Sequence, residues 1–376
     1  MTPNGIDPLP HARELSRTHL EATLRRGLSE HSAREGARQI WMALHQRGAL
    51  SSEALDVESP RWIEVASRAM RFEPQLELLD ANHLEEDGSR KLLFALRRLA
   101  GERIECVAIP RRDDLTLCVS SQVGCPLACA FCATGLLGLK ANLTTGEILE
   151  QHVHAERQCQ KRVTDVVFMG MGEPLLNYDA VLQAAYTLSD RQGPQISHRK
   201  ITLSTAGVVP KIRQYVEEGH RFPLFFSIAS AIPEKRRRLM PIEAAHPLPE
   251  FIDAIRLYQT AHKRNRWVTI AYVAIEGENM GPEDVDALGA AFEGIPFIVD
   301  VIPYNSTDAR FRAPSWSEVR RFTLDLRRLG VPIKVRYSSG KKQGGGCGQL
   351  AAGLVPAGEA QGHLLAPAGI YSDLPR

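Results

Sequence analysis

The chain has 376 residues, of which 44% are hydrophobic and 24% charged, and its formal net charge is +2 at pH 7. A chain of this length can bury one large hydrophobic core with a small appendage, and the composition is ordinary for a soluble globular protein. There is no apolar run long enough to span a bilayer and no signal-peptide core, which predicts a cytoplasmic protein with no membrane contact.

The first 80 residues are predicted to form a small helical accessory domain, because apolar residues recur there at helical spacing. Residues 81–114 are predicted as a short extension made of strands. The periodic apolar residues are Leu15, Leu20, Leu24 and Leu28, then Ile40, Trp41 and Leu44, and the candidate strands run from Ser89 to Leu96 and from Arg103 to Ile109.

From residue 115 to 350 the pattern alternates between strands and helices. Thr144 to Glu147 is a T-x-x-E capping box that predicts the start of a helix. About six β-α units predict an α/β fold, a parallel sheet with helices outside it, and are too few for a closed eightfold barrel. Residues 351–376 remain as a C-terminal tail. The predicted strands run from Leu115 to Ser120, Val163 to Met169, Ile201 to Ser204, Leu224 to Ile228, Val268 to Val273, Phe297 to Ile302 and Ile333 to Arg336.

The cysteines and the basic residues are unevenly distributed. Seven cysteines, odd in number and clustered, favour a reducing compartment and a metal or redox role over a disulfide framework. Each basic group taken singly is typical of a solvated helix end, although grouped cations also neutralise phosphates. These groups are Arg199 with Lys200, Lys235 to Arg238, Lys263 to Arg266, Arg310 with Arg312, and Lys341 with Lys342.

Three of the cysteines, Cys125, Cys129 and Cys132, form a C-x3-C-x2-C triplet inside one short loop. A closed structural zinc site needs four ligands, usually in two separated pairs. Three thiolates on a 4Fe-4S cluster would instead leave one iron open for a small molecule. The triplet therefore indicates metal chemistry, with a zinc knuckle or chance thiols as the alternatives.

The triplet and the short sequence motifs around it resemble those of the RlmN/Cfr family of radical S-adenosylmethionine (SAM) RNA adenosine methyltransferases. The resemblance covers about residues 90–350. The shared order and spacing of these motifs make it far more specific than a match to any single motif. The motifs are CVSSQVGC at 118–125, CATG at 132–135, NLT at 142–144, GMGEPLLN at 170–177, STAGVVP at 204–210 and CGQL at 347–350.

The resemblance implies a partial (β/α)6 radical SAM barrel that carries a 4Fe-4S cluster on Cys125, Cys129 and Cys132. It also implies that SAM serves as both methyl donor and radical source. The partners would be an RNA substrate, rRNA or tRNA, and an external electron donor such as a flavodoxin-type reductant, and the protein is expected to be a monomer. Whether the accessory domain contacts RNA or only packs on the barrel stays open.

Five residues are implied to bind SAM, and each lies at the carboxyl end of a predicted strand, where parallel barrels hold their chemistry. One departure from the family pattern follows strand four, where Ala229 stands in place of the usual histidine and leaves the SAM contact there uncertain. The implied SAM ligands are Gly172 and Glu173, at the SAM amino group, with Ser204, Ser227 and Asn305.

Two further cysteines and one carboxylate are implied to be catalytic. An aromatic adenine carbon is a poor nucleophile, whereas a thiolate accepts a methyl group readily. By resemblance, Cys347 is methylated by one SAM, and a 5'-deoxyadenosyl radical from a second SAM takes a hydrogen from that methyl group. The methylene radical then adds to adenine, Glu105 removes the ring proton, and Cys118 resolves the crosslink by forming a disulfide with Cys347. Cys106 and Cys159 are interpreted as ordinary thiols.

The position methylated and the RNA remain open at this point. The motif GMGEPLLN, with Pro174, is more similar to the motif of the family branch that methylates adenine C2 than to that of the branch that methylates C8. The segment from Ser339 to Gly344 departs from the family and is more basic, so RNA contacts there are uncertain. A flipped adenosine in a folded RNA loop is the expected target. A radical SAM enzyme of another reaction class and a non-enzymatic iron-sulfur or zinc RNA-binding module are the alternatives.

Overall fold

A computed structural model describes residues 9–84 (backbone only for 82–84), 88–112, 114–262, 267–307, 310–336 and 344–351. The predicted basic groups at 263–266 and 341–342 and the tail beyond residue 351 lie outside these ranges, as does most of the segment 339–344. Among the residues described, no helix is both long and apolar enough to cross a membrane.

The amino-terminal part folds into three helices, α1 (Arg17–Leu24), α2 (Glu30–His45) and α3 (Pro60–Ser67). Ser16 and Ser29 cap α1 and α2 by accepting hydrogen bonds from backbone N–H groups of the first turn, and Pro60 opens α3. The helices share a hydrophobic core of their own. Gly36 faces Trp62 so closely that a Cβ atom there would lie 2.9 Å from the indole, so only glycine fits at this contact.

Four antiparallel strands lead into the main domain: β1 (Leu76–Leu84), β2 (Ser89–Leu96), β3 (Arg103–Arg111) and β4 (Asp114–Cys118). The sequence did not predict β1, which begins inside the segment interpreted as helical. Its residues do not alternate between apolar and polar, and the strand exists because it pairs along its whole length with β2. Such pairing overrides local propensity.

After β4 the chain forms a small two-stranded ribbon, which the sequence also did not predict. Strand β5 (Gln122–Gly124) pairs antiparallel with β6 (Leu139–Asn142), and helix α4 (Ala133–Leu136) lies between them in sequence. Gly124 has φ +74°, and a Cβ there would lie 1.8 Å from the Gly138 carbonyl oxygen. The ribbon closes the cysteine loop at its base.

Strand β4 and six later strands form the parallel part of one ten-stranded sheet with the order β1-β2-β3-β4-β7-β8-β9-β10-β11-β12. Six helical crossovers connect these seven strands, which confirms the predicted partial (β/α)6 barrel behind a helical amino-terminal region. The later strands are β7 (Asp165–Phe168), β8 (Ile201–Thr205), β9 (Leu224–Ile228), β10 (Val268–Ala274), β11 (Phe297–Pro303) and β12 (Ile333–Val335).

The helices of the crossovers pack their apolar residues on the sheet and build the main core. The predicted capping box is present, because the Thr144 side chain accepts from the Glu147 N–H and the Glu147 carboxylate accepts from the Thr144 N–H. The helices are α5 (Thr145–Cys159), α6 (Tyr178–Ser189), α7 (Val209–Glu217), α8 (Pro233–Leu239), α9 (Leu248–Ala261), α10 (Pro282–Ala291) and α11 (Trp316–Leu326).

A buried ion pair joins the amino-terminal part to the barrel. Arg13 Nη1 donates to the Leu44 carbonyl at 2.7 Å, and its Nε lies 3.7 Å from Glu150 on α5. The Glu150 carboxylate also accepts from the N–H groups of Gln75 and Leu76, at 2.9 and 2.8 Å. Because both charges are buried, loss of either partner would leave an uncompensated charge, which is strongly destabilising.

Candidate active site

A cavity of about 550 Å³ lies inside the partial barrel, and every parallel strand contributes to its wall. Nine of the predicted site residues line it, at or beyond the carboxyl ends of the strands. They are Cys118, Cys125, Cys129, Cys132, Gly172, Glu173, Ser204, Ser227 and Cys347. The remaining two, Glu105 and Asn305, lie outside the lining and contact the segment around Cys347 instead.

The cysteine triplet is held by backbone contacts. Cys125 directly follows β5, and its N–H donates to the Gly138 carbonyl at 3.1 Å. Cys132 is the residue before α4, and its N–H donates to the Cys129 carbonyl at 3.0 Å. Ala128 takes a positive φ of 49°, which turns the chain between the first two cysteines. The loop therefore faces the cavity in a fixed conformation.

Burial raises the pKa of all three thiols, so as free thiols they stay protonated. Hydrogen bonds from Gly135 and Thr134 partly oppose the burial effect at Cys132. A bound metal displaces such protons outright. Within the described ranges, no three His, Cys, Asp or Glu side chains converge tightly enough for a single metal ion. A 4Fe-4S cluster differs in that each thiolate binds its own iron.

A cationic side chain next to the triplet also fits an anionic cluster. Arg236 on α8 is fully buried, and its Nη1 group has no hydrogen-bond partner among the residues that the structure describes. Its charge interacts with Cys129. The donor set and this unsatisfied cation together fit a 4Fe-4S cluster held by Cys125, Cys129 and Cys132.

The loop after β7 packs tightly against the entry to the cysteine loop. Gly172 has φ +100°, and a Cβ there would lie 2.6 Å from the Gln122 side chain. Glu173 is buried; its N–H donates to Gln122 Oε1 at 2.9 Å, and its carboxylate accepts from the N–H groups of Leu175 and Ala206 at 3.1 and 2.8 Å. Burial raises the Glu173 pKa to about 7. The carboxylate is thus fixed at the cavity wall.

The ends of β8 and β9 bring two predicted hydroxyls together. Ser204 Oγ and Ser227 Oγ lie 3.1 Å apart and both face the cavity. Ala229, the departure from the family pattern, is buried in the same wall, and its N–H donates to Met240 Sδ at 3.3 Å. No histidine is found among the cavity-lining residues within the described ranges.

The segment that carries Cys347 is held mainly by its own main-chain atoms, and its Gln349 side chain adds a hydrogen bond to the Ser306 carbonyl at 3.1 Å. The Asn305 side-chain N–H donates to the Cys347 carbonyl at 3.0 Å, the Ala133 N–H donates to the Gly348 carbonyl at 2.8 Å, and Thr134 Oγ1 donates to the Leu350 carbonyl at 2.6 Å. Gly348 takes φ +80°, a backbone conformation that favours glycine. These bonds hold Cys347 over the cysteine loop.

Cys118 ends β4 in the same cavity, and Met169 and Arg336 surround it. The Met169 N–H donates to the Cys118 sulfur, and Met169 Sδ accepts from Arg336 Nη1 at 3.3 Å. Burial, with a contribution from Cys347, raises the Cys118 pKa to about 12, and Arg336 and Met169 oppose this shift. Both Cys118 and Cys347 are free thiols in the structure.

Glu105 on β3 is buried, and both oxygens of its carboxylate have partners. Its Oε1 atom lies 3.0 Å from Lys91 Nζ, and its Oε2 atom accepts from the Ala351 N–H at 2.9 Å. Glu105 and Val107 point to the same side of the sheet, and Val107 pairs with Cys118 in the neighbouring strand. The carboxylate therefore lies close to the segment that carries Cys347 without lining the cavity.

The sequence interpretation did not single out Arg336, Asp300 or Lys91. It named Arg236 only within the basic group Lys235 to Arg238, and the interpretation of that group as a solvated helix end is wrong for Arg236, which is buried. Arg336 donates to Asp300 Oδ2 through Nε at 3.0 Å and again through Nη2. Burial disfavours its charge, but Asp300 and the two nearby cysteines raise its pKa. Its position directly after β12, at the carboxyl edge of the sheet, was the one signal that could have identified it.

The partial parallel barrel and its three-cysteine loop define the class. The chain is a radical SAM enzyme, with a 4Fe-4S cluster and SAM as its cofactors, and the Radical SAM superfamily profile matches residues 119–288. Over 345 residues it is 46% identical to a "Probable RNA methyltransferase" of Myxococcus xanthus (strain DK1622), covering 90% of this chain and 94% of that protein.

Two further comparisons agree. The chain is 38% identical to the "Dual-specificity RNA methyltransferase RlmN" of Syntrophobacter fumaroxidans over 87% of its own length and 94% of the relative. The crystal structure of a radical SAM methyltransferase from Sphaerobacter thermophilus matches with a TM-score of 0.83 and 33% identity, covering 91% and 99% of the two chains. The chain belongs to the RlmN/Cfr family of radical SAM RNA methyltransferases.

Proposed function

We propose that the protein methylates C2 of an adenine in rRNA or tRNA through a methylated Cys347. The observation that carries this proposal is the placement of Cys347 and Cys118 in one cavity with the cysteine triplet. A radical SAM enzyme of another class would need the triplet, but it has no need for two further thiols facing it. The sequence GMGEPLLN, with Pro174, favours C2 over C8.

The cavity residues would have separate roles in holding the cluster and SAM. The cluster and SAM, when bound, supply the reducing electron and the radical that abstracts hydrogen. Glu173, with Gly172, would hold the SAM amino group, and Ser204 with Ser227 would bind the remainder of SAM. Asn305 would contribute to SAM binding while it holds the Cys347 carbonyl. The buried Glu173 carboxylate is already fixed by two backbone N–H groups, so it meets the SAM ammonium without reorganising.

The thiols would act in sequence. Cys347 accepts the methyl group, which then loses one hydrogen to the SAM-derived radical, and the remaining methylene radical adds to the adenine carbon. The ring radical formed in this way would return one electron to the oxidised cluster. Once Glu105 has taken the ring proton, Cys118 attacks the Cys347 sulfur, so that the carbon-sulfur bond breaks as the disulfide forms. The released carbon takes up a proton, and an external donor, of the flavodoxin type, returns the electrons to the disulfide and the cluster. Arg336 lies where it stabilises the attacking thiolate of Cys118.

RNA would approach along the β12 edge of the sheet, where no further strand pairs among the residues that the structure describes. A groove of about 780 Å³ runs along α11 beside Val335. Trp316 and Leu324 are about half exposed there, at 56% and 50%. Within the described ranges, Arg320, Arg321 and Arg327 have no carboxylate partner, whereas Arg328, which does not line this groove, is paired with Asp286. Uncompensated arginines beside an aromatic ring suit an RNA backbone with stacked bases.

The decisive experiment is anaerobic incubation of the reconstituted protein with SAM, reductant and unmodified rRNA or tRNA, followed by nucleoside mass spectrometry. We expect 2-methyladenosine. Finding 8-methyladenosine would move the activity to the other branch of the family, and SAM cleavage with no methylated adenosine would contradict the methylation proposal. Cys347→Ala should abolish methylation while the iron content stays that of the wild type, and Cys118→Ala should leave a covalent protein-RNA adduct.

A further inference from the structure

Arg236 is the most deeply buried cation near the active site. It lies on α8 with no exposed surface, and its Nη2 donates to the Ala206 carbonyl at 3.0 Å. Its Nε lies 3.3 Å from Glu243 Oε2, and its guanidinium carbon lies 5.2 Å from the centre of the Phe251 ring. Neither Nε nor Nη1 makes a hydrogen bond within the described ranges.

The pairing with Glu243 does not satisfy this guanidinium. Glu243 Oε1 accepts from the Leu248 N–H at 3.1 Å, but Glu243 Oε2 has no hydrogen-bond partner among the described residues either. A buried polar group without a hydrogen-bond partner destabilises the fold, and more so when it is charged. The ion pair with Glu243 therefore leaves two guanidinium N–H groups that a further anion can use.

The nearest candidate anion is the group held by the cysteine triplet. The end of α8 docks on the cysteine loop, where the Ala130 N–H, next to Cys129, donates to the Leu239 carbonyl at 2.9 Å. Ala206, which accepts from Arg236, lines the cavity together with Cys129. Burial lowers the pKa of Arg236, and the charges of Glu243 and Cys129 oppose this effect. Arg236 thus bonds to a residue of the cavity wall and lies near enough to Cys129 for their charges to interact.

We propose that Arg236 is a positioning residue that sets the reduction potential of the 4Fe-4S cluster, with Glu243 moderating its charge. Reduction adds one negative charge to the cluster. A fixed cation and its N–H groups beside a ligand sulfur stabilise the reduced form and raise the potential. The inference concerns the cluster alone and goes beyond methyl transfer to RNA.

The test is a redox titration of the anaerobically reconstituted protein, followed by electron paramagnetic resonance, with neither RNA nor SAM added. Arg236→Met keeps the side-chain volume but removes the charge. At a given applied potential we expect its ratio of reduced to oxidised cluster to fall about tenfold, which is about 59 mV for a one-electron couple. Glu243→Gln removes the moderating charge and should shift the ratio in the opposite direction.

The matched control is Lys235→Met, which removes the same charge from the neighbouring position. Lys235 Nζ lies 3.0 Å from Glu283 and 2.7 Å from Asp284, on the partly exposed side of α8. We expect this variant to keep the wild-type potential. Arg236→Lys, which keeps the charge but has fewer donors, should fall between the wild type and Arg236→Met.

A purely structural ion pair makes a different prediction. Removing either partner would then lower the thermal midpoint, with the potential unchanged or shifted in the same direction in both variants, and that result would overturn the proposal. If Arg236→Met takes up no iron, the reduction potential of the cluster in Glu243→Gln is the deciding measurement. A raised potential in that variant supports the proposal, and a wild-type potential overturns it. The nucleoside assay is independent of this titration, so either proposal can fail while the other stands.

Discussion

The Ala351 backbone N–H donates to the Glu105 carboxylate at 2.9 Å, across 246 residues of sequence. One side chain on β3 therefore fastens the end of the segment that carries Cys347. The other oxygen of this carboxylate lies 3.0 Å from Lys91 Nζ. A residue proposed as a base thus also has a structural task, and the two roles can be separated by substitution.

Glu105→Gln should separate them. The amide oxygen can still accept the Ala351 N–H, but an amide is no base, so we expect the catalytic segment to stay in place while product formation falls by a factor of about 100 or more. Nucleoside mass spectrometry measures the product, and limited proteolysis reports on the segment. Glu105→Ala should lose both functions. Wild-type product formation by Glu105→Gln would mean that the carboxylate only fastens the segment.

Removal of the Arg336 charge should make Cys118 less reactive. Arg336 is linked to Cys118 through Met169 and lowers a thiol pKa that burial has raised to about 12. In Arg336→Gln that pKa rises further, so the thiolate fraction at pH 9 falls. We expect iodoacetamide to alkylate Cys118 about 3–10 times more slowly in the cluster-loaded protein, as measured by peptide mass spectrometry.

The control for this measurement is Arg321→Gln, which removes a charge from the outer groove and should leave the alkylation rate of Cys118 unchanged. An equal rate in Arg336→Gln and the wild type would show that the guanidinium does not act on this thiol.

Charge removal in the α11 groove should weaken RNA binding. We expect the triple variant Arg320→Gln, Arg321→Gln, Arg327→Gln to bind a substrate RNA fragment about tenfold more weakly at 0.1 M salt. Each lost phosphate contact should also reduce the salt dependence, log K against log salt, by about 0.7–0.9. Fluorescence anisotropy over a salt series measures both quantities.

A triple variant with the same change in net charge serves as its control. Arg191, Arg213 and Arg221 are exposed in the α6 and α7 region, far from β12 in the strand order. Their replacement by glutamine should lower affinity only slightly. If the two triple variants lose affinity equally, the groove has no special role, and binding follows net charge alone.

Acid should destabilise the fold through buried histidines at the amino-terminal junction. His11 Nε2 lies 2.7 Å from the Glu73 carbonyl, and its Nδ1 accepts from the Arg13 N–H at 3.2 Å, so both nitrogens are used by the neutral ring. Burial lowers the His11 pKa from 6.5 to about 4, and burial does the same for His154. The stability that the neutral rings provide is therefore complete above pH 6.5 and is lost as the pH falls towards 4.

The measurement is the free energy of unfolding in denaturant between pH 7 and pH 4. His11→Gln keeps the donor to Glu73 but cannot take up a proton, so it should lose about 3 kcal/mol less than the wild type over this range. His31→Gln, on the exposed face of α2, should follow the wild-type curve. Parallel curves for the wild type and His11→Gln would contradict the prediction.

The sequence predicted the periodic elements well because each buries its own apolar pattern. Leu224–Ile228 was predicted with the bounds it has, and the helix after Thr144 begins at its capping box. Strand β1 was missed because its partner, and not its own pattern, makes it a strand. The short ribbon β5–β6 was missed for the same reason.

The site was predictable where short-range spacing determines it and not where distant segments meet. The cysteine triplet lies within one loop, so its spacing in sequence is its geometry. The contacts of Glu105 and Asn305 with the Cys347 segment join residues 246 and 42 positions apart, and no local pattern encodes them. Arg236 has no motif of its own, since its significance comes only from its burial.

The segment around Cys347 is secured mostly through backbone groups, namely the carbonyls of Cys347, Gly348 and Leu350 and the N–H of Ala351. One of its side chains also takes part, since Gln349 Nε2 donates to the Ser306 carbonyl at 3.1 Å. Every amino acid offers the same backbone carbonyl, and every one except proline offers the same N–H. Apart from Gly348, whose backbone conformation favours glycine, and Gln349, whose side chain takes part, the residues flanking the cysteine can therefore be exchanged with these backbone hydrogen bonds kept. Most side chains on this segment can thus vary while the Cys347 sulfur stays in the position that the barrel gives it.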